Sequence, residues 1–120
     1  MNATRTESIY ESIKKLRGIG DEDDNFDSDL VLCINSSLSV LTQLGVGPDE
    51  GFSISTGQET WADFMGESKL FNMAVDFVNM RVWLLFDPPT NASLYGEIDK
   101  MINELVWRLS IAADEVKDGE

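Results

Sequence analysis

Residues 67–86 read ESKLFNMAVDFVNMRVWLLF, and this stretch decides the fold more than any other. Its apolar side chains recur at spacings of three and four, as on one face of an α-helix. Because apolar groups cover so much of the predicted helix, we expect it at the centre of a bundle or in a subunit contact. The helix must end at residues 87–89, where two consecutive prolines prevent its continuation. The main face carries Leu70, Ala74, Phe77, Val78, Arg81, Leu84 and Leu85, with Phe71, Val75 and Val82 beside it.

The two ends of the chain are also predicted to be helical. Near the beginning, a helix covers about residues 6–16, where Thr4 and Glu7 have the spacing of a capping box. Near the end, a helix covers about residues 92–114, with Asn91 as its N-cap. Each has an apolar stripe at helical spacing, so each is expected to pack against the central helix.

A fourth helix and an irregular segment lie between the first and the central helix. The helix begins at Asp27 or Ser28, either of which is a suitable N-cap, and runs to about Leu44. Residues 45–60 contain glycines and a short apolar–polar alternation, which predicts a short β-hairpin or an extended loop. Residues 61–65 then form one amphipathic helical turn that packs onto the core.

These elements predict a mainly α, single-domain bundle of about four helices that spans residues 1–120. A chain of 120 residues fits one compact domain and leaves no room for a second core. Within it, residues 20–29 form an acidic loop, residues 45–60 the hairpin or loop, and residues 115–120 a polar tail.

The charge balance restricts the partners. The chain has 22 acidic and nine basic residues, a formal net charge of −13. Proteins bind the phosphate backbone and anionic lipid surfaces through Lys and Arg, so sequence-specific DNA binding and membrane docking are both disfavoured. Three interpretations of an acidic surface stay open: a channel lining along which DNA slides, a mimic of DNA, or a soluble surface without a further role.

The motifs of common catalytic and metal sites are missing. The chain has no histidine, and its one cysteine, Cys33, lies in an apolar run and has no internal disulfide partner. A calcium-binding loop starting at residue 21 would need glycine and glutamate where Phe26 and Leu32 stand. The glycines at 45–47 follow a helix rather than a strand, so they do not form a nucleotide-binding loop. We therefore expect no cofactor, no metal and no enzymatic activity.

Targeting signals are not evident either. Residues 1–5 open no apolar stretch of the kind that begins a signal peptide, and no apolar run reaches the length of a membrane span. The cytoplasm is therefore the expected location.

Two tryptophans are candidates for contacts between subunits. Trp83 and Trp107 fall slightly off the main apolar stripes of their helices. Large aromatic side chains at such positions either complete the core or anchor an interface.

Several short stretches of the sequence serve as landmarks. They are SIKKLRGI (12–19), FDSDL (26–30), QLGVGP (43–48), GFSI (51–54), TWADF (60–64), RVWLLFDPP (81–89) and ELVWRL (104–109). Together they resemble the head–tail connector (adaptor) proteins of tailed bacteriophages from Gram-positive hosts. The resemblance covers about residues 7–112, and its most specific parts lie around residues 45–48 and 86–89.

The resemblance implies a structural role. Such a protein assembles as a dodecameric ring below the portal protein, extends the DNA channel toward the tail, and contacts the next neck or tail-completion protein. DNA is then passing cargo, and the location is the neck of the virion after assembly in the host cytoplasm. Repulsion between like-charged subunits further predicts a monomer in isolation at low concentration. As site residues we expect an acidic, channel-facing loop of Asp21, Glu22, Asp23 and Asp24, and a portal or subunit interface of Trp83, Trp107, Arg108 and Ile111.

An alternative from another class is an acidic DNA mimic that inhibits a nucleic-acid-binding protein of the host or phage. The net charge favours this alternative. Against it, the acids outside residues 21–29 are spread over several helices rather than arrayed on one.

Overall fold

A computed structural model describes residues 3–20 and 26–118 of the chain. The fold is mainly α, as predicted, and strands are absent from the described residues. Five helices lie in these two ranges: α1 (Ile9–Leu16), α2 (Ser28–Gln43), α3 (Trp61–Met65), α4 (Phe71–Phe86) and α5 (Ala92–Asp118).

Helix α4 lies at the centre of the bundle. It packs against α1, α2 and α5, which explains why apolar side chains occur almost all round it. Val46 after α2, Leu70 before α4 and Ala113 late in α5 line one cleft, so α4 runs antiparallel to both α2 and α5. The prediction of a central apolar helix is therefore confirmed. Its buried side chains are Phe71, Ala74, Val75, Phe77, Val78 and Val82.

The predicted caps of the second and last helices are confirmed. The carboxylate of Asp27 accepts hydrogen bonds from the backbone N–H groups of Asp29 and Leu30, at 3.0 and 3.2 Å. The side-chain oxygen of Asn91 accepts one from the N–H of Leu94 at 3.1 Å. Each bond satisfies a donor that the first turn of a helix leaves without an intrahelical acceptor.

Two predicted helix starts were wrong. Helix α1 begins at Ile9 rather than near residue 6, because Ser8 is its N-cap and accepts from the N–H of Glu11. The Thr4–Glu7 pair closes a separate turn ahead of the helix, in which the N–H of Thr4 donates to the Glu7 carboxylate at 3.2 Å. Thr4 and Glu7 thus do form a hydrogen bond, as in a capping box, but no helix begins at Thr4.

Helix α4 begins at Phe71 rather than near residue 67. Gly66, at φ +57°, ends α3, and the hydroxyl of Ser68 accepts from the N–H of Leu70 at 3.2 Å, which makes the connection a turn. At the other end of the chain, α5 continues to Asp118. The polar tail predicted from residue 115 is therefore helical through residue 118.

Residues 45–60 form the extended loop and not the β-hairpin. Both ends of the Asn35 amide bond the backbone of Ile54: the amide NH₂ donates to its carbonyl at 2.9 Å, and the amide oxygen accepts from its N–H at 2.7 Å. A side chain of α2 therefore occupies the place of a partner strand. The one β-bridge in the described residues joins Ser8 to Thr60, so this segment pairs with the region ahead of α1 instead.

The tip of this loop is closed by Glu59. Its carboxylate accepts from the backbone N–H and the hydroxyl of both Ser55 and Thr56, at distances from 2.7 to 3.3 Å. Desolvation alone would raise the pKa of Glu59, but these bonds together outweigh it and lower the pKa to about 2. The loop is thus held at both Ile54 and Glu59.

Candidate interaction surface

The outward side of α5 carries exposed apolar side chains. The inward side of this helix is buried against the bundle through Ile98, Leu105 and Leu109. Trp107 nevertheless exposes 66% of its surface and Ile111 exposes 41%. Large aromatic groups left in water are typical of binding surfaces rather than of a solvated helix face.

Charged side chains lie among these apolar groups. Glu104 pairs with Arg108 at 4.0 Å, and Glu97 pairs with Lys100 at 3.7 Å. Both pairs are exposed, and an exposed ion pair at such a distance stabilises a helix only weakly. The charges are therefore free to exchange partners when another surface approaches. We call Met101, Glu104, Trp107, Arg108 and Ile111 the α5 surface.

The interface predicted from the sequence divides into two places. Trp107, Arg108 and Ile111 share the outward side of α5, and their role in an interface stays a prediction. Trp83 lies on α4, half-buried, and the guanidinium of Arg17 stacks on its ring 4.4 Å from the centroid. The structure therefore does not bring Trp83 together with the other three residues, and its interface role stays a prediction.

Arg17 fixes the orientation of the Trp83 contact. Its Nε donates to the side-chain oxygen of Asn79 at 2.7 Å. Burial lowers the pKa of Arg17, and the nearby Asp87 carboxylate acts in the opposite direction. One face of the Trp83 ring is thus already occupied within the chain.

A second exposed apolar group lies where α2 begins and α4 ends, and sequence reasoning missed it. Leu32 exposes 69% of its surface and Leu85 exposes 49%. One turn from each, the Nη2 of Arg81 donates to the hydroxyl of Ser36 at 3.1 Å. The signal in the sequence was the charge of Arg81 on an otherwise apolar helix face. We call Leu32, Ser36, Arg81 and Leu85 the α2–α4 patch.

Arg81 is incompletely satisfied. Its Nε is buried and has no hydrogen-bond partner in the described part of the chain, and no carboxylate there pairs with the guanidinium. A buried donor without an acceptor costs about 1–3 kcal/mol, more when it is charged. The α2–α4 patch therefore contains a guanidinium that no described carboxylate neutralises, and a carboxylate from outside could pair with it.

An open cleft of about 450 Å³ lies at the opposite end of the bundle. The loop at residues 45–49, Phe64, Met65 and the last turns of α5 line it. Gly47 has φ +84°, and a Cβ there would lie 2.5 Å from Phe64, so the loop approaches the ring as closely as glycine permits. Among the residues that the structure describes there, Asp49 is the one carboxylate of the lining.

The remaining features considered in the sequence are the acidic loop, metal binding and membrane spans. The acidic loop of Asp21, Glu22, Asp23 and Asp24 lies outside the described residues. Across residues 3–20 and 26–118, no cluster of three or more Cys, Asp or Glu side chains is positioned to bind a metal ion. None of the helices described is both long and apolar enough to cross a bilayer.

Comparison with known proteins assigns a family. The family model described as phage connector protein matches residues 9–116, a range that begins at the first residue of α1 and ends near the end of α5. No curated protein and no solved structure matches the chain significantly.

Proposed function

The chain belongs to the phage connector protein family, and from this membership we propose that it is a head–tail connector (adaptor) that forms a ring below the portal. The family is structural, and its members act together with other head and tail proteins of the phage. In this role the central hole of the ring extends the DNA channel toward the tail. The partners are further copies of the chain, the portal protein and the next neck or tail-completion protein.

The extent of the family match is the observation that carries the proposal. It includes all five helices rather than one shared motif, so the whole bundle corresponds to the connector unit. A role that depends on the entire folded shape, as ring assembly does, is compatible with a chain whose motifs indicate no active site.

The α5 surface supplies the contacts that this role requires. Trp107 and Ile111 provide apolar area, and Arg108 provides a charge whose present partner is weak. We propose that this surface, with Trp83 as a further candidate, binds the portal protein or a neighbouring subunit. Contacts anchored by exposed aromatic groups and arginine are typical of protein interfaces.

The net charge suits a channel through which DNA passes. A ring of subunits that each carry −13 repels the phosphate backbone, so DNA moves past without binding. We propose that Asp21, Glu22, Asp23 and Asp24 contribute to this repulsive lining. The same repulsion opposes ring closure in solution, so the isolated chain is a monomer until a portal provides a template.

An affinity pull-down of the tagged chain from phage-producing cells, read by mass spectrometry, tests the proposal. We expect recovery of portal and neck proteins, with contacts that persist at high salt because they are largely apolar. Recovery of a host nuclease or repressor without virion proteins would instead support a DNA mimic and contradict the connector role.

A charge-reversed variant provides the matched control. In it, Asp21, Glu22, Asp23 and Asp24 are changed to Lys. A DNA mimic would lose its partner, whereas recovery of the portal protein should persist because the surfaces of the helical bundle are unchanged.

A further inference from the structure

We propose that the α2–α4 patch of one subunit binds the α5 surface of the next. In this contact Arg81 of the first subunit forms an ion pair with Glu104 of the second. This inference rests on the ring assembly proposed above and identifies the two surfaces that form the ring. A contact between two different surfaces of identical chains is head-to-tail, and such contacts form a ring when the rotation between neighbours closes.

The exposed apolar side chains support this pairing. Leu32 at 69% and Trp107 at 66% are the two most exposed large apolar side chains in the described part of the chain, and each lies on one of the two surfaces. Burying both against each other removes the largest apolar exposure on either surface with a single contact.

The geometry of the α2–α4 patch places its apolar and polar groups together. Leu32 precedes Ser36 by four residues, and Leu85 follows Arg81 by four, which is one helical turn in each case. Since α2 and α4 are antiparallel, both leucines lie toward the same end of the bundle from the Ser36–Arg81 hydrogen bond. The patch thus consists of a guanidinium beside two exposed leucine side chains.

The α5 surface has the complementary arrangement. Glu104 lies three residues from both Met101 and Trp107, so its carboxylate stands in the middle of the exposed apolar groups. Its side chain is 66% exposed, and its bond to Arg108 is at the 4.0 Å limit of an ion pair. An Arg81–Glu104 contact gives the half-buried Arg81 side chain the carboxylate that it lacks in the described residues, and a guanidinium and a carboxylate form a strong, charge-assisted pair.

Charge selects a second copy as the occupant. A chain with 22 acidic and nine basic residues repels itself, so a stable contact between copies needs a cation placed against an anion. Arg81 is a partly buried cation without a carboxylate in the described residues, and every neighbouring copy brings a Glu104.

Disulfide trapping in virions tests the contact. Cys33 is the only cysteine of the chain and lies on α2 between Leu32 and Ser36. Glu97→Cys and Lys100→Cys each introduce one thiol outside the α5 surface but on the same side of the helix, seven and four residues before Glu104. We expect virions that carry one of these variants to give a ladder of cross-linked multimers under mild oxidation, because only facing Cβ atoms a few ångströms apart can form a disulfide.

The matched control is Asp99→Cys, which is exposed on the same helix but turned well away from Glu104. It should give no ladder. A ladder from Asp99→Cys equal to that from Glu97→Cys and Lys100→Cys would show non-specific oxidation and overturn the inference.

The remaining outcomes separate the inference from the proposed function. Virions that contain the Glu97→Cys and Lys100→Cys variants but yield no ladder overturn the contact and leave the connector role standing, with α5 facing another partner such as the portal protein. Virions that lack the wild-type chain overturn the connector role, and the contact with it.

Charge reversal gives a second readout. Glu104→Arg should reduce the incorporation of the chain into virions at least tenfold, and Arg81→Glu in the same chain should restore it. Failure of the double variant to exceed the Glu104→Arg variant, with both folded by circular dichroism, contradicts the pairing.

Discussion

Asn35 on α2 bonds the backbone of Ile54 at both its N–H and its carbonyl, so one side-chain amide takes the place of a neighbouring β-strand. Ile54 is buried at 2% exposure, and buried backbone groups need hydrogen-bond partners. The position of the whole loop at residues 45–60 therefore depends on one side chain.

Replacing Asn35 by Ala should destabilise the protein by about 1–3 kcal/mol, because a buried donor and a buried acceptor lose their partner together. Urea unfolding followed by circular dichroism measures the effect. Ser39→Ala, one turn further along α2 on an exposed position, is the control and should change the free energy of unfolding by less than about 0.5 kcal/mol. Equal urea midpoints for the two variants would contradict the stabilising role of the Asn35–Ile54 hydrogen bonds.

The buried indole of Trp61 leads to a second prediction. Its Nε1 donates to the hydroxyl of Ser12 at 2.7 Å, and that hydroxyl donates in turn to the carbonyl of Ile9 at 3.1 Å. Ser12→Ala should cost about 1–3 kcal/mol, since the indole N–H is then buried without an acceptor. In a Trp61→Phe background the same substitution should cost clearly less, and a double-mutant cycle of unfolding free energies detects the difference.

Acid stability should depend on Glu59. Its pKa is lowered to about 2 in the folded chain from an ordinary value of 4.5, so the folded state favours the ionised carboxylate. The stabilisation is complete above pH 4.5 and is lost as the pH falls through about 2. Glu59→Gln should be less stable than the wild type at pH 7, and the gap should narrow toward pH 2.5, as thermal unfolding at several pH values will measure. A gap that does not change with pH would mean that the carboxylate charge is not the source.

Two glycines should respond in opposite directions to alanine. Gly47→Ala places a Cβ 2.5 Å from Phe64 at φ +84°, so we expect a loss of more than about 1 kcal/mol. Gly96 lies inside α5, and a Cβ added to it would meet no atom within 4 Å, so Gly96→Ala should stabilise by about 0.5–1 kcal/mol. Thermal unfolding of both variants checks the pair, and a stabilising Gly47→Ala would refute the close approach to Phe64.

Trp107 should matter for assembly and not for folding. Because its side chain is 66% exposed, Trp107→Ser should change the unfolding free energy by less than about 0.5 kcal/mol. The same variant should be incorporated into virions far less than the wild type. Tyr95→Ser, also exposed on α5 but outside the α5 surface, is the matched control and should be incorporated as the wild type is.

The helices were predictable because their signals, apolar spacing and capping residues, lie within the helix or next to it in the sequence. The apolar spacing of Ile98, Ile102 and Leu105 follows from helix geometry alone, and the caps at Asp27 and Asn91 act within four residues. The start of α1 was misjudged for the same reason: two overlapping caps, Thr4 and Ser8, compete within one short stretch. Which of them begins the helix depends on the pairing of Ser8 with the distant Thr60.

Contacts between distant polar groups were beyond the reach of the sequence. Asn35 and Ile54 are 19 residues apart, and Ser36 and Arg81 are 45 apart. No periodicity links such pairs, because their approach depends on how the helices pack and not on either helix alone. The candidate surfaces were half predictable in consequence: Trp107 was a candidate for an interface because it falls off the apolar stripe of its helix, whereas the Leu32–Arg81–Leu85 arrangement required the antiparallel packing of α2 and α4.

The pairing of the chain's beginning with residues 59–62 has a consequence for synthesis. Helix α1 leaves the ribosome first, but eight residues are too few for a helix to be stable alone. Trp61, which bonds Ser12, is synthesised 49 residues after it, and Asn79, which bonds Arg17, is synthesised 62 residues after it. The first helix of the chain therefore does not become ordered when it is synthesised, but only after α3 and α4 have also left the ribosome.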